Sequence, residues 1–209
     1  MVAAAVTAAA AVAARNPHAE KLRLTPEGKR LAKHALLTSS DLGPDWTRLP
    51  SVPDDSSLTC PSFDPDFSAY TINGKATSSF VQSGLAQISS SSEVYASRLQ
   101  AAADFSKGTR PELAPCLRYA VAREFRTSGA GIRASVLSSR VQRAPKLGER
   151  SASYRVVTRV RQSGVSFKLY TDFVVIQRGR TIVALGFTGV DSPIPSQMLY
   201  DRMVAARMR

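Results

Sequence analysis

Arginines are the residues whose type and spacing best suit a chemical task. Arg155, Arg159 and Arg161 lie in the segment Ser151–Arg161, where Ala152, Tyr154, Val156 and Val160 interleave with them. A period of two puts the apolar set on one face of a strand and gathers the arginines on the other. Arg133 and Lys168, in the neighbouring strand-like segments, join that row if the registers agree. Side-by-side guanidinium groups suit phosphate or carboxylate, which they grip through forked, charge-assisted hydrogen bonds. The candidate anion-binding set is therefore Arg155, Arg159, Arg161, Arg133 and Lys168.

Catalysis needs convergent groups, and the sequence offers few. Of the two histidines, His18 lies in the N-terminal leader, and His34 sits on a helix among Arg30, Lys33 and Leu37, as a surface or boundary residue. There is no Gly-x-Ser-x-Gly elbow, no His-Glu-x-x-His pair and no phosphate loop. Gly129-Ala130-Gly131 precedes a strand and so lacks the helix N-terminus that cradles phosphate. Asp54, Asp55, Asp64 and Asp66 crowd a loop without calcium-loop spacing and read as solvated acids. Glu93, Asp104, Glu112 and Glu124 read as ordinary helix and strand positions, not as a hydrolase pair. The expectation is no catalytic residue, no metal site and no cofactor.

Two cysteines, Cys60 and Cys116, are too far apart in sequence for a zinc motif and have only those two histidines for company. An even count in an exported chain favours a disulfide, worth roughly 4 kcal/mol on the chain-entropy account for a loop of this length. The alternative is a pair of buried thiols. Export itself is suggested by Met1–Ala14, apolar apart from Thr7, with Ala11-Val12-Ala13 fitting a signal-peptidase rule. No Lys or Arg precedes Arg15, so residues 1–24 read as a truncated export signal or anchor remnant with a flexible leader. The competing reading is the Ala-rich helix of a cytosolic protein. No lipobox cysteine follows, and no stretch reaches the length of a membrane-spanning helix, so membrane association is peripheral at most.

The charge is lopsided. Of 28 basic and 16 acidic side chains, residues 110–180 hold 15 and 4, whereas residues 1–109 hold 10 and 10. Nearly the whole net charge of +12 thus lies in the second half. An anionic partner follows from that excess, or else a solvated Arg-rich surface. Nucleic acid is not favoured, because no recognition motif is present and no aromatics interleave with the arginines.

The elements that must position these residues follow from periodicity and turn chemistry. With 44% hydrophobic residues the chain can build a core, and residues 25–209 read as one α+β domain. Thr25-Pro26-Glu27 opens a helix with the apolar stripe Leu31, Ala32, Ala35 and Leu36, closed by 39–44. Trp46 follows and covers one edge of the core. Strands are expected over Phe67–Ala76 and Leu85–Ala96, then helices over Ser97–Lys107 (stripe Leu99, Ala102, Ala103, Phe105) and Pro111–Arg126. Four strands succeed them: Ile132–Val141, Ser151–Arg161, Ser166–Gln177 and Thr181–Gly189. A terminal helix runs through Leu199, Met203 and Ala206. The order α-ββ-αα-ββββ-α implies an antiparallel sheet of about five to six strands with helices packed on it.

Short motifs along this layout resemble a family of actinobacterial extracytoplasmic domains. They are Ala35-Leu36-Leu37-Thr38-Ser39-Ser40-Asp41-Leu42-Gly43 before Trp46, Thr59-Cys60-Pro61, Glu93-Val94-Tyr95-Ala96-Ser97 leading into Ala101–Phe105, then Pro111 and Cys116. Gly179–Ala184 and Met203–Ala206 complete the match. The family comprises PknH-type kinase sensor domains and PsbP/Mog1-like secreted proteins. The resemblance implies an extracytoplasmic, sensor-like or ligand-binding domain, secreted or held in the cell envelope. Its partner would be a small molecule, a lipid, an anionic envelope polymer or another envelope protein. Two other classes remain open: a structural or interaction protein of the envelope, and a cytosolic nucleic-acid-associated basic protein.

Overall fold

Alternation of apolar and polar residues writes the sheet. In a computed structural model, which describes residues 17–50, 60–83, 86–127 and 132–208, the long strands are β3 (Thr71–Gln82), β4 (Ala86–Tyr95), β5 (Ile132–Gln142), β6 (Arg150–Gln162), β7 (Val165–Arg178) and β8 (Thr181–Val190). Two-residue strands β1 (Lys21–Leu22) and β2 (Thr47–Arg48) also pair with β3, so the sheet has eight strands where five to six were expected. Segments this short carry no periodicity from which they could be read. The order is β1-β3-β4-β8-β7-β6-β5, with β2 also on β3, and every pairing is antiparallel except β1 with β3. The class is α+β, as the element order implies.

Helices cover both faces. On one face lie α1 (Pro26–His34), the single turn α2 (Ser39–Leu42) and α5 (Gln197–Arg207). Ala35, Leu37, Leu42, Tyr200 and Val204 pack there on Phe80, Ile88, Val174, Leu185 and Phe187. On the other face α3 (Arg98–Gly108) and α4 (Leu113–Thr127) bring Ala101, Phe105, Leu113 and Leu117 onto the sheet, where Tyr95, Tyr154, Val156 and Ile182 lie. Trp46 is half-buried against the first of these cores.

The serine run in β4 has a structural task. Ser90 and Ser78 are buried side by side, 2.7 Å between hydroxyls, beneath the chain that leaves α1. Ser78 Oγ donates to the Leu37 carbonyl at 2.9 Å and Ser90 Oγ accepts from the Leu37 amide at 3.3 Å. These hydroxyls satisfy the buried backbone groups of Leu37 in the link between α1 and α2, which would otherwise be unpaired. Nearby, Gly28 of α1 and Gly74 at the β3 bulge touch backbone to backbone, and a Cβ on either would collide with the other segment. Only glycine permits that approach.

Cys60 and Cys116 are bonded, with a Cα–Cα separation of 5.6 Å. The bond ties the Cys60–Phe63 turn to α4, and Cys116 is fully buried in the core with Leu117 and Tyr154. No helix among the described residues is long and apolar enough to cross a membrane. The apolar start Met1–Ala14, Asp54 and Asp55, and Gly129-Ala130-Gly131 lie outside the described residues. The expected leader ends inside the fold, for Lys21 N donates to Tyr70 O and Arg23 N to Ile72 O, both at 2.9 Å.

Two helix stripes differ from expectation. Leu99 is 82% exposed, and α3 buries Ala101, Asp104 and Phe105 instead. Leu199 is 57% exposed and Ala206 is exposed, whereas α5 buries Tyr200, Asp201, Val204 and Ala205. In both helices the inward stripe includes an aspartate, which breaks the apolar pattern that marks a buried face.

Candidate functional site

The registers of β5, β6 and β7 bring the candidate cations together. Arg133 stands opposite Arg161, and Arg159 stands opposite Lys168. Directly opposed residues project from the same side, so Arg133, Arg159, Arg161 and Lys168 share one face with Ser135 and Ser166 at the corners. Two rows result: Arg133–Arg161–Ser166, and Ser135–Arg159–Lys168. Neighbours are roughly 5 Å apart across the strands, and the rows about 7 Å apart along them. All six residues are exposed. The face is the one that α1 and α5 cover farther along, but α1 packs on β3 and β4 and α5 on β7 and β8, leaving this end of β5 and β6 open.

Arg155 differs. It lies on the same face opposite both Arg140 and Asp172, and its guanidinium forks onto the Asp172 carboxylate, Nε to Oδ1 at 2.6 Å and Nη2 to Oδ2 at 2.9 Å. Asp172 is buried, while Arg155 keeps about a quarter of its side chain exposed. The hydrogen bonds to Asp172 raise the Arg155 pKa further above its ordinary value. Arg155 therefore serves the fold, and the open set is Arg133, Arg159, Arg161 and Lys168, joined by the exposed Arg140.

Several other cations of the protein are paired with acids. Lys75 stands opposite Glu93 and pairs with it at 3.4 Å. Arg98 pairs with Glu149 at 3.2 Å, Arg180 with Glu27 at 2.5 Å, and Arg207 with Asp41. The four open cations, by contrast, make no side-chain hydrogen bond or ion pair among the described residues. Like charges directly opposite on neighbouring strands destabilise a sheet, a cost that salt screens only in part.

A second group of side chains gathers around α3. Glu93 and Asp104, expected at ordinary positions, come together with Glu20 and the buried Tyr95. Tyr95 Oη donates to Glu93 Oε2 at 3.1 Å, and Glu20 and Asp104 lie within electrostatic reach of that pair. Burial, then the charges of Glu93 and Glu20, push the Asp104 carboxyl up to about 8. Burial and Glu93 raise Glu20 also, and burial raises Tyr95 well above a free phenol. The signal that reveals Asp104 is its place one residue before Phe105 and three after Ala101, on the buried stripe of α3.

On the opposite face Asp201 of α5 is buried, and burial with the nearby Asp172 charge pushes its carboxyl up to about 7. His34 is exposed on α1, and His18 Nδ1 lies 3.1 Å from Asp64 Oδ2. Among the described residues no group of three or more His, Cys, Asp and Glu is arranged to hold a metal ion. Two shallow depressions open at the disulfide loop rather than between sheet and helices. One of about 270 Å³ is lined by Cys60, Pro61, Asp64, Tyr119 and Arg123. The other, of about 250 Å³, includes Phe63, Pro65, Arg110 and Glu112.

No family model matches the chain, and no curated protein matches it. Solved structures similar to it include two from mycobacteria. One is a protein from Mycobacterium smegmatis described as an Rv0999 ortholog, 12% identical over 85% of this chain and 96% of that one, with a TM-score of 0.41. The other is the extracellular domain of PknH from Mycobacterium tuberculosis, 12% identical over 86% of this chain and 93% of that one, with a TM-score of 0.42. At that identity the reading of function rests on the site itself.

Proposed function

We propose that the chain is a non-enzymatic, extracytoplasmic binding or sensor-like domain that meets an anionic component of the cell envelope with the open end of its sheet. It would be of the kind that PknH-type sensor domains and PsbP/Mog1-like secreted proteins exemplify. The observation that carries this reading is the pair of opposed like-charge contacts, Arg133 with Arg161 and Arg159 with Lys168, left without an acid. An anion seated between two such cations removes their repulsion and gains charge-assisted hydrogen bonds. The Ser135 and Ser166 hydroxyls, at opposite corners, supply further donors. The disulfide supports the compartment, since such bonds persist outside the reducing cytoplasm.

The test is co-sedimentation with vesicles of anionic lipid and with an acidic polysaccharide, at low and high salt. Binding should be weak, should fall with salt, and should drop when Arg159 and Arg161 become Gln. The control changes Arg30 and Lys33 to Gln, which removes equal charge from the exposed side of α1. Equal losses in both double variants would mean that net charge alone acts and that the sheet end is not a site.

A further inference from the structure

The open cations of the sheet end form two seats rather than one patch. Arg133 and Arg161 face each other across β5 and β6, and Arg159 and Lys168 across β6 and β7. Ser166 on β7 flanks the first pair, and Ser135 on β5 flanks the second. From one pair to the other is one strand spacing sideways and two residues along, a diagonal of about 8 Å. A single phosphate seated in one opposed pair leaves the repulsion in the other standing.

The surroundings of the seats set the form of the anion. An exposed acid, Asp191, follows β8, and its carboxylate accepts from the Lys168 amide at 2.8 Å, so it stands on the side of β7 away from β6. Farther along the same face Asp172 is taken by Arg155. The open track therefore runs obliquely from Lys168 towards Arg133, away from both acids. On that face α1 and α5 also stand, each about 10 Å thick. They hold a flat bilayer off the sheet, whereas a single chain fits beside them.

We propose that the ligand of the basic sheet end is a linear polyanion whose phosphate or carboxylate groups recur about every 8 Å. One group bridges Arg133 and Arg161, and the next bridges Arg159 and Lys168. The inference rests on the reading of this end as an anion site and adds the form of the anion.

Backbone amide shift titrations of the full chain at low salt test it. Methyl phosphate is the single-group probe, and a series of alkane-α,ω-diol bisphosphates is the paired one. Every bisphosphate carries the same charge, so only reach differs across the series. Affinity should peak where the phosphates stand about 8 Å apart. At that reach it should exceed that of methyl phosphate roughly tenfold or more, because the second group binds at the effective concentration its tether sets. Arg161→Gln and Arg159→Gln each disable one seat, and both side chains are exposed, so the fold stands. Either variant alone should abolish the optimum while methyl phosphate still binds the remaining seat. An affinity that does not vary with reach, but falls in both variants, overturns the two-seat inference and leaves the sheet end an anion site. Binding to phosphatidylglycerol vesicles without a bisphosphate optimum replaces the chain by a membrane and overturns it too. No response to any of these probes overturns the inference and the anion-site reading together.

Discussion

Arg155 and Asp172 face each other across β6 and β7 and close a two-point fork, with the carboxylate buried and about a quarter of the arginine side chain exposed. The pair lies next to Phe187, under the edge of α5, where Asp201 brings a second carboxyl into the electrostatic field of Asp172. One arginine thus holds down the acid that faces the core, while Arg159 and Arg161, two and three turns of alternation along or beyond it on the same strand face, have no such partner.

Removing Arg155 should therefore damage the fold rather than binding. Arg155→Gln strands Asp172 beside Asp201, and breaking a buried pair by deleting one partner costs about 3 kcal/mol or more. Partial exposure of the guanidinium puts the expectation at the low end of that range. Urea unfolding of Arg155→Gln should show the loss, and Arg155→Gln with Asp172→Asn should recover part of it. A stability equal to wild type for the single variant would mean that the fork contributes nothing.

The disulfide gives a second stability prediction. It joins the Cys60 turn to the middle of α4, and both sulfurs are buried in the core beside Tyr154 and Val156. Protein unfolded without reductant should titrate no free thiol. Reduction should lower stability by up to about 4 kcal/mol, the chain-entropy value for a loop of this size. Secondary structure of β6–β8 should survive reduction, since none of that hairpin array passes through the bond. Two titratable thiols in the native protein would remove the bond and, with it, support for the compartment.

Much of this architecture was legible because long strands repeat every two residues. Ser151–Arg161 places Tyr154 and Val156 inward and the arginines outward from the sequence alone, and the structure extends that strand by one residue at each end. The strand expected over Phe67–Ala76 instead runs Thr71–Gln82, because Thr77, Ser78 and Ser79 carry no apolar signal although Ser78 is buried. The α3 and α5 stripes were misread for a related reason: Asp104 and Asp201 occupy inward positions where the pattern demands apolar residues. At the site, the sequence groups the cations but cannot show which one is taken. That Arg155 meets Asp172 depends on the β6–β7 register, which the turn Ser163-Gly164 sets and no local pattern of Arg155 reveals.

The glycine contact between α1 and β3 makes a sharper test of packing. Gly28 and Gly74 meet with no room for a Cβ on either, and the obstructing atoms are backbone, which cannot rotate aside. Gly28→Ala should therefore be destabilising despite the better helix propensity of alanine, by about 1–3 kcal/mol as overpacking usually costs. Gly43 has open space around it but a φ of 86° and a ψ of 177°, a region essentially reserved for glycine, so Gly43→Ala should cost backbone strain alone, about 1–3 kcal/mol. Urea midpoints of the two variants separate the mechanisms, and a stabilised Gly28→Ala would show that α1 can lift from β3 freely.

Buried acids on both faces also set how stability responds to pH. Asp104 and Asp201 titrate in the folded protein at about 8 and about 7, against an ordinary value of 3.8. Between those limits the folded state keeps protons that the unfolded chain releases, so stability contributed by proton binding is full below about pH 4 and is lost as pH rises towards 7 and 8. Asp41 acts in the opposite direction: Arg207 and the Thr38 amide hold its pKa below 3.8, and what it contributes is lost only as pH falls below that value. The urea midpoint should accordingly fall between about pH 5 and about pH 9. Asp201→Asn should remove its share of the fall up to about pH 7, and Asp104→Asn its share up to about pH 8, leaving the part between about pH 7 and about pH 8 to Asp104 alone. A midpoint that climbs from about pH 5 to about pH 9 would mean that neither carboxyl holds its proton in the folded state.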